Sequence, residues 1–272
     1  MTGRFQGVPD TLFIPLAARI FASERFPEYF HDEKALTLRG CIADGSIARN
    51  SSEYAFMASV ARYENTDAMT KAFIQNHPRC NIIYLGAGLE TAYSRLNGPA
   101  LPGAMFYQVD LPEVIAARRE LLGTGPNEVL TGGDMFAMKW AQSIDAALPS
   151  LLIASGVFQY FAADKVKGFV RGLRGAFADA ELIFDATNET GLTYANNYVR
   201  KTGNEDALMQ FCINDSAAFA RSVGAELIEA RPFFGGARKR LRRQLKLYTR
   251  IAMRVVDDKK RAVLVHLRLN PR

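Results

Sequence analysis

From Asn81 onward the chain consists of short apolar runs, four to eight residues long, separated by stretches with helical spacing. A strand, a helix and another strand in succession imply parallel pairing, because parallel neighbours need a crossover long enough to hold a helix. The runs at 82–85, 104–109, 128–131, 151–154 and 182–185 read as strands, and 111–122, 138–147 and 163–177 as helices between them. Two later strands, 226–233 and 262–269, bracket a basic segment. The expectation is an α/β fold with a seven-stranded, doubly wound, Rossmann-like sheet.

Upstream the pattern is helical. Phe13, Leu16, Ala17, Ile20 and Phe21 share one helix face over 12–21, with Thr11 as a plausible N-cap. Phe56, Val60, Tyr63, Met69, Ala72 and Phe73 recur at helical spacing over 50–76. The chain therefore divides into a helical cap, 1–78, and a core, 79–272, with an insertion at about 188–211 that can serve as a lid. A length of 272 residues suits one main domain with such an elaboration.

Composition excludes several classes. No apolar run approaches the roughly 18 residues needed to span a bilayer, and the opening residues lack a secretory pattern, so the expectation is a cytoplasmic protein. Cys41, Cys80 and Cys212 are far apart and have no CxxC spacing, and the three histidines, His31, His77 and His266, are scattered. A disulfide framework, a metal site and a triad hydrolase are all disfavoured.

The first core strand runs into Gly86-Ala87-Gly88, where glycines permit backbone angles and a close approach that a Cβ would block. A dinucleotide fingerprint would place a third glycine where this chain has Thr91. Ligands of open α/β sheets bind at the carboxyl ends of strands. Those ends carry Gly86, Ala87 and Gly88, then Asp110 with Leu111, Asp134 with Met135, and Ser155 with Gly156. Asp110 follows Gly86 by 24 positions and Asp134 follows Asp110 by 24, each interval fitting one helix plus one strand. The pattern reads as an adenosyl-cofactor site, with Asp110 on the ribose, Asp134 on the adenine amino group and Met135 on the ring. Each acid has a second reading: Asp110 as a helix N-cap before Leu111-Pro112, and Asp134 as a turn residue after Gly132-Gly133.

Beyond these residues the chain resembles the leucine carboxyl methyltransferase family, whose bacterial branch includes polyketide O-methyltransferases. The likeness is carried by Tyr84-Leu85-Gly86-Ala87-Gly88-Leu89-Glu90-Thr91 and Val109-Asp110-Leu111-Pro112-Glu113-Val114. It extends to Asp10-Thr11-Leu12 through Arg19, Phe30-His31-Asp32-Glu33-Lys34-Ala35, Arg62, Asp67, Asp134 with Trp140, and Gly156-Val157-Phe158-Gln159-Tyr160-Phe161. The resemblance implies a class I methyltransferase sheet with its last strand antiparallel, using S-adenosylmethionine without a metal. It implies that Arg62 binds the cofactor carboxylate. The family usually has Asp-Thr-Arg where this chain has Glu90-Thr91-Ala92, and a glutamate near the methionine end where this chain has Ser155.

A pocket for the methyl acceptor is expected between the cap and the insertion, lined by Tyr160, Tyr194, Tyr198, Arg200 and Phe211, with Arg200 drawing in an anionic substrate. Tyr194 and Tyr198 would share one helix face, a spacing that ordinary packing also produces. No acid, base or nucleophile stands out. Between Arg231 and Arg261 twelve Lys or Arg face two Asp, so the basic character belongs to one segment of a chain whose net charge is +6. A helix over 239–255 should turn Leu241, Leu245, Tyr248, Ala252 and Val255 inward and Arg242, Lys246, Arg250 and Arg254 outward. Its basic run, 238–254, is a candidate dock for an acidic protein partner, with solvated charge as the plainer reading. An Asn-Pro-Pro-Tyr type motif is absent, which disfavours methylation of nucleic-acid amino groups.

The leading function is O-methylation of a carboxylate or phenol on a small molecule. Protein C-terminal carboxyl methylation, a nicotinamide-dependent oxidoreductase and a noncatalytic adenosyl-binding protein are the alternatives.

Overall fold

The computed structural model describes residues 12–42, 51–201 and 208–271, apart from the side chains of residues 198, 199 and 201. Thr11, the expected N-cap, lies outside them. The core strands are β1 (Cys80–Leu85), β2 (Ala104–Asp110), β3 (Glu128–Gly132), β4 (Ser150–Ala154), β5 (Ala180–Thr187), β6 (Glu226–Pro232) and β7 (Ala262–Arg268). They form one sheet in the order β3-β2-β1-β4-β5-β7-β6. The first five are parallel, and β7 runs antiparallel between β5 and β6. The expected topology is the observed one, and strand order reverses between β1 and β4.

β1 is buried at every position, as a parallel strand covered on both faces must be. Ile82 and Tyr84 join the apolar cluster under the cap, while Ile83 and Leu85 join the cluster on the opposite face. The edge strand β6 alternates between exposed and partly buried positions. Register aligns Leu85 with Val109 and Ala154 with Phe184, so the strand ends that carry polar residues lie along one edge of the sheet.

The helices, in chain order, are α1 (Phe13–Arg25), α2 (Glu33–Thr37), α3 (Glu53–Asn76), α4 (Ala92–Arg95), α5 (Pro112–Leu122), α6 (Ala163–Ala176), α7 (Glu189–Lys201), α8 (Ser216–Val223), α9 (Gly235–Arg240) and α10 (Leu247–Asp258). Ser52 caps α3 by accepting from the Ala55 N–H at 3.1 Å. α3 buries residues around most of its circumference, because it packs against α1, α9, α10 and the sheet together. That surrounding is what places Arg62 and Asp67 in the interior.

Two expected helices differ. Over 138–147 there is no α-helix but a 3-10 turn, Lys139–Ser143, set off from an earlier one, Met135–Ala137, by Met138 at φ 55°. The indole N–H of Trp140 donates to the Met135 carbonyl at 2.8 Å, bending the chain back on itself. The basic helix is likewise broken, into α9 and α10, and the Lys246 N–H at the break donates to Glu53 at 2.9 Å. Leu241 and Leu245 are buried as expected, but α10 turns Thr249, Met253 and Asp257 inward and leaves Tyr248 70% exposed. Asp257 sets this orientation by accepting from the Phe234 N–H and the Arg238 guanidinium, both at 2.9 Å.

Candidate functional site

The glycine turn is built from its neighbours. Gly86 and Gly88 have φ of 65° and 48°, and the N–H groups of Gly86 and Ala87 both donate to the Val109 carbonyl, at 2.9 and 3.1 Å. A Cβ on Gly86 would lie 2.5 Å from the Val157 side chain, and one on Gly88 would lie 2.9 Å from Leu12. Here the positive φ and the close approach both require glycine.

Asp110, at the end of β2, is tied to the same turn. One carboxylate oxygen accepts from the Gly88 N–H and the other from the Leu111 N–H, each at 2.7 Å. The N-cap position of α5 is held by Leu111, so Asp110 braces the glycine turn more than it caps that helix. Burial raises the Asp110 pKa and the two N–H donors oppose it, with a net rise above the ordinary value. Each oxygen retains acceptor capacity beyond these bonds. The side chain of Leu111 stands exposed beside it.

After β3 the Gly133 N–H donates to the Asp110 carbonyl at 2.8 Å, which brings the next turn alongside. Asp134 is exposed and accepts from the Phe136 N–H at 2.9 Å. It fills the turn role, and its carboxylate remains open to solvent. Met135 is buried in the cluster on the far side from the cap.

At the other end of the site lie Arg62, Ser155, Gly156 and a residue that sequence reasoning missed, Asp185. Asp185 accepts from the Gly156 N–H at 2.5 Å and faces Arg62 Nη1 at 3.4 Å. Arg62 and Asp185 are only 14% and 11% exposed. Gly156 has φ of 72°, and a Cβ there would lie 2.6 Å from Arg62 Nη1. Burial works against the Arg62 charge, but the Asp185 carboxylate more than offsets it and holds the guanidinium above its ordinary pKa. Arg62 Nε and Ser155 Oγ are buried without a protein partner. The available signal for Asp185 was its place at the carboxyl end of the fifth strand, where the first four strand ends had already supplied site residues.

The segments expected to line an acceptor pocket meet one another: the Gln210 N–H donates to the Gln159 carbonyl at 2.7 Å, and Asn196 on α7 bonds the backbone of Met209. Tyr160 and Tyr194 are exposed, Tyr194 at 61% with the Arg261 guanidinium 4.8 Å above its ring. Arg200 is exposed and donates to Asn197 at 3.3 Å. The side chain of Tyr198 lies outside the described residues. Phe211 is a correction: it is 1% exposed and packs among Phe158, Phe184 and Phe219, so it belongs to the core and lines no pocket.

A second buried assembly sits below the glycine turn. Arg95 meets Asp67 at 2.7 Å, Asp32 at 3.1 Å and Glu90 at 2.8 Å. Arg19 meets Asp32 at 3.0 Å, donates to Thr91 Oγ1 and donates to the Leu89 carbonyl at 2.6 Å. Arg118 donates to the carbonyls of Gly88 at 3.2 Å and Glu90 at 2.6 Å. Three successive carbonyls after the turn are thus held by buried guanidiniums, which fixes the loop that carries the site. Among the described residues no group of three or more His, Cys, Asp or Glu is arranged to hold a metal ion, and no helix is long and apolar enough to cross a membrane.

Comparison with known proteins adds relatives. A model of the leucine carboxyl methyltransferase family matches residues 9–173. The tetracenomycin polyketide synthesis O-methyltransferase TcmP of Streptomyces glaucescens is 24% identical over 205 residues, covering 74% of this chain and 75% of that protein. Among solved structures, a Thermobifida fusca protein assigned to the methyltransferases superposes with a TM-score of 0.61 at 18% identity, covering 97% of this chain and 98% of the other. A DUF574 family protein from Streptomyces avermitilis gives a TM-score of 0.61 at 14% identity, covering 93% and 96%. These two likenesses bear on the fold.

Proposed function

Because the chain belongs to the leucine carboxyl methyltransferase family and is thereby an S-adenosylmethionine-dependent methyltransferase, we propose that it methylates a carboxylate or phenolic oxygen of a small molecule. The observation that supports the cofactor half of this reading is the bond between the Asp110 carboxylate and the Gly88 N–H, which joins the glycine turn, beside the sheet's switch point, to the acid we assign to the ribose. The residues fit the cofactor. Both glycines of the turn have the positive φ that disfavours a side chain, Gly86 also lies against Val157, and buried polar atoms of Arg62 and Ser155 lack partners at the opposite end.

Gly86, Ala87, Gly88 and Ser155 would line the methionine side, Asp110 and Leu111 the ribose, and Asp134 the adenine, with Met135 packed behind it. Arg62 would take the α-carboxylate, since a guanidinium matches a carboxylate with two parallel hydrogen bonds. When bound, the sulfonium supplies an electrophilic methyl group. The chain's own residues align the partners and exclude water, and alignment alone can lower such a barrier by several kcal/mol, on the order of 7 or more in favourable cases. A carboxylate acceptor is ionised at neutral pH and needs no base; a phenol, with a pKa of about 10, needs an electropositive surrounding to ionise. Arg261, whose guanidinium lies 4.8 Å above the Tyr194 ring on helix α7, would supply such a surrounding and favour an anionic substrate, with the exposed Arg200 further along the same helix drawing it in. The TcmP relative acts in polyketide synthesis, which supports an aromatic or polyketide-like acceptor.

Calorimetry with S-adenosylmethionine, S-adenosylhomocysteine and NAD tests the cofactor half. The two adenosyl ligands should bind, and Asp110→Ala should abolish binding. Transfer of a labelled methyl group to a panel of carboxylic acids and phenols tests the acceptor half. Binding without transfer to any oxygen acceptor would sink O-methylation, and transfer to a protein C-terminus alone would move the substrate from small molecules to proteins.

A further inference from the structure

Resting on the methyltransferase reading above, we propose that Arg62 and Asp185 form a two-charge subsite for the amino-acid end of the cofactor, with Asp185 receiving the α-ammonium while Arg62 receives the α-carboxylate. The pair is poorly satisfied by the protein itself. Asp185 uses one oxygen on the Gly156 N–H at 2.5 Å, while its contact with Arg62, at 3.4 Å, is longer than a well-formed charge-assisted bond. Among the described residues Arg62 has that one carboxylate contact, and its Nε is buried without a partner. A buried ion pair whose remaining donors and acceptors stay empty is costly to keep. A zwitterion supplies the missing partners for both members at once.

Charge balance points the same way. An arginine alone would bind the carboxylate and leave the ammonium buried without a counter-ion, whereas a neutral pair receiving a zwitterion stays neutral. Position also agrees. Asp185 ends up beside Gly156 because β4 and β5 are parallel neighbours, paired from Ser150 with Ala180 to Ala154 with Phe184. The carboxylate that this chain lacks at position 155 is thus supplied from the adjacent strand. Ser155, next to Gly156 in the chain and with a buried, unpartnered hydroxyl, has a donor and an acceptor to offer the ligand. The left-handed conformation of Gly156, at φ of 72°, keeps a side chain out of the space next to Arg62.

The test compares ligands with and without the amino-acid end. The full-length protein is titrated calorimetrically with S-adenosylhomocysteine and with 5′-methylthioadenosine, which shares the nucleoside and lacks the zwitterion. Asp185→Asn keeps an oxygen for the Gly156 N–H and removes the charge. It should weaken S-adenosylhomocysteine about tenfold to a hundredfold and change 5′-methylthioadenosine by no more than about twofold. Equal weakening of both ligands would show that Asp185 merely supports the turn, and no weakening of either would place the ammonium elsewhere. On the wild type, a deaminated analogue of S-adenosylhomocysteine should bind at least ~tenfold more weakly than the parent; equal affinity overturns the subsite even if the variant fails to fold. Binding of 5′-methylthioadenosine with no gain from the amino-acid end would leave the adenosyl site standing and remove the subsite. If neither nucleoside binds the wild type, the methyltransferase reading itself fails and the subsite with it.

Discussion

Arg95 on α4 and Arg62 on α3 are guanidiniums held in the interior, both within 6 Å of the Tyr63 ring, and their surroundings differ. Arg95 meets Asp67, Asp32 and Glu90 at 2.7, 3.1 and 2.8 Å and is 4% exposed. Arg62 meets one carboxylate, Asp185, at 3.4 Å, is 14% exposed, and keeps an unpartnered Nε. Each of these three carboxylates meets a guanidinium within 3.1 Å without any ligand; the assembly joins α1, α2, α3, α4 and the loop after the glycine turn. The second is incomplete, and its open valences lie among the strand ends where ligands of such sheets bind. The closeness of the ion pairs, more than the number of charges, separates scaffold from site.

The largest effect should come from exchanging the two arginines for methionine. Arg95→Met leaves the buried Asp67 and Glu90 without their principal counter-ion and Asp32 with Arg19 alone, and should cost on the order of 3–5 kcal/mol in urea denaturation. Arg62→Met should cost no more than about 2 kcal/mol, because Asp185 keeps the Gly156 N–H, yet should weaken S-adenosylhomocysteine about tenfold to a hundredfold. If both substitutions destabilise equally, the distinction between the assemblies collapses.

Acidification provides a smaller test. Burial tends to raise Asp32 and Glu90, but the guanidiniums of Arg19 and Arg95 more than offset it and hold both below their ordinary values of 3.8 and 4.5. Their stabilising contribution is therefore complete above those values and is lost as the pH falls through the lower folded-state ones. Asp67 works in the opposite direction, because burial outweighs Arg95 and raises it. Asp110 is raised above 3.8 by burial, so it protonates before Asp32. S-adenosylhomocysteine affinity should thus decline at a higher pH than the circular-dichroism signal of the fold. Coincident transitions would contradict the contrast.

Ser155→Ala should give the smallest effect. Removing a buried hydroxyl that has no protein partner should shift the thermal midpoint by less than about 2 °C and cofactor affinity by less than about threefold. A larger loss of affinity would make Ser155 a principal contact in its own right.

The sheet was legible because its strands are short apolar runs at regular intervals, and Asp110 because strand and helix lengths fix where the second strand must end. The failures have local causes. Met138 takes a left-handed conformation and Trp140 bonds back to Met135, so residues with helical spacing form a 3-10 turn instead. In the basic segment the buried side of α10 is chosen by Asp257, an acid whose partners, Phe234 and Arg238, lie 23 and 19 positions away. The charged assembly around Arg95 draws on residues from separate segments, and no periodicity relates Arg19 to Thr91. Asp185 sits within a strand that continues to Thr187, so its polarity resembled ordinary alternation. Phe211 looked like a pocket aromatic because it follows the insertion, whereas three other phenylalanines enclose it.

The charged scaffold also has a consequence for the order in which the molecule is made. Arg19 is translated 72 residues before Thr91 and 70 before Leu89, and Asp67 precedes Arg95 by 28. At about 5–20 residues per second, Arg19 waits roughly 4–14 s for its later partners to be synthesised. During that interval Arg19 has Asp32 for a partner but lacks Thr91 and the Leu89 carbonyl, and Asp67 lacks Arg95, so the first helices cannot complete their buried charge network. Final packing of the beginning of the chain must await the loop that follows its first core strand.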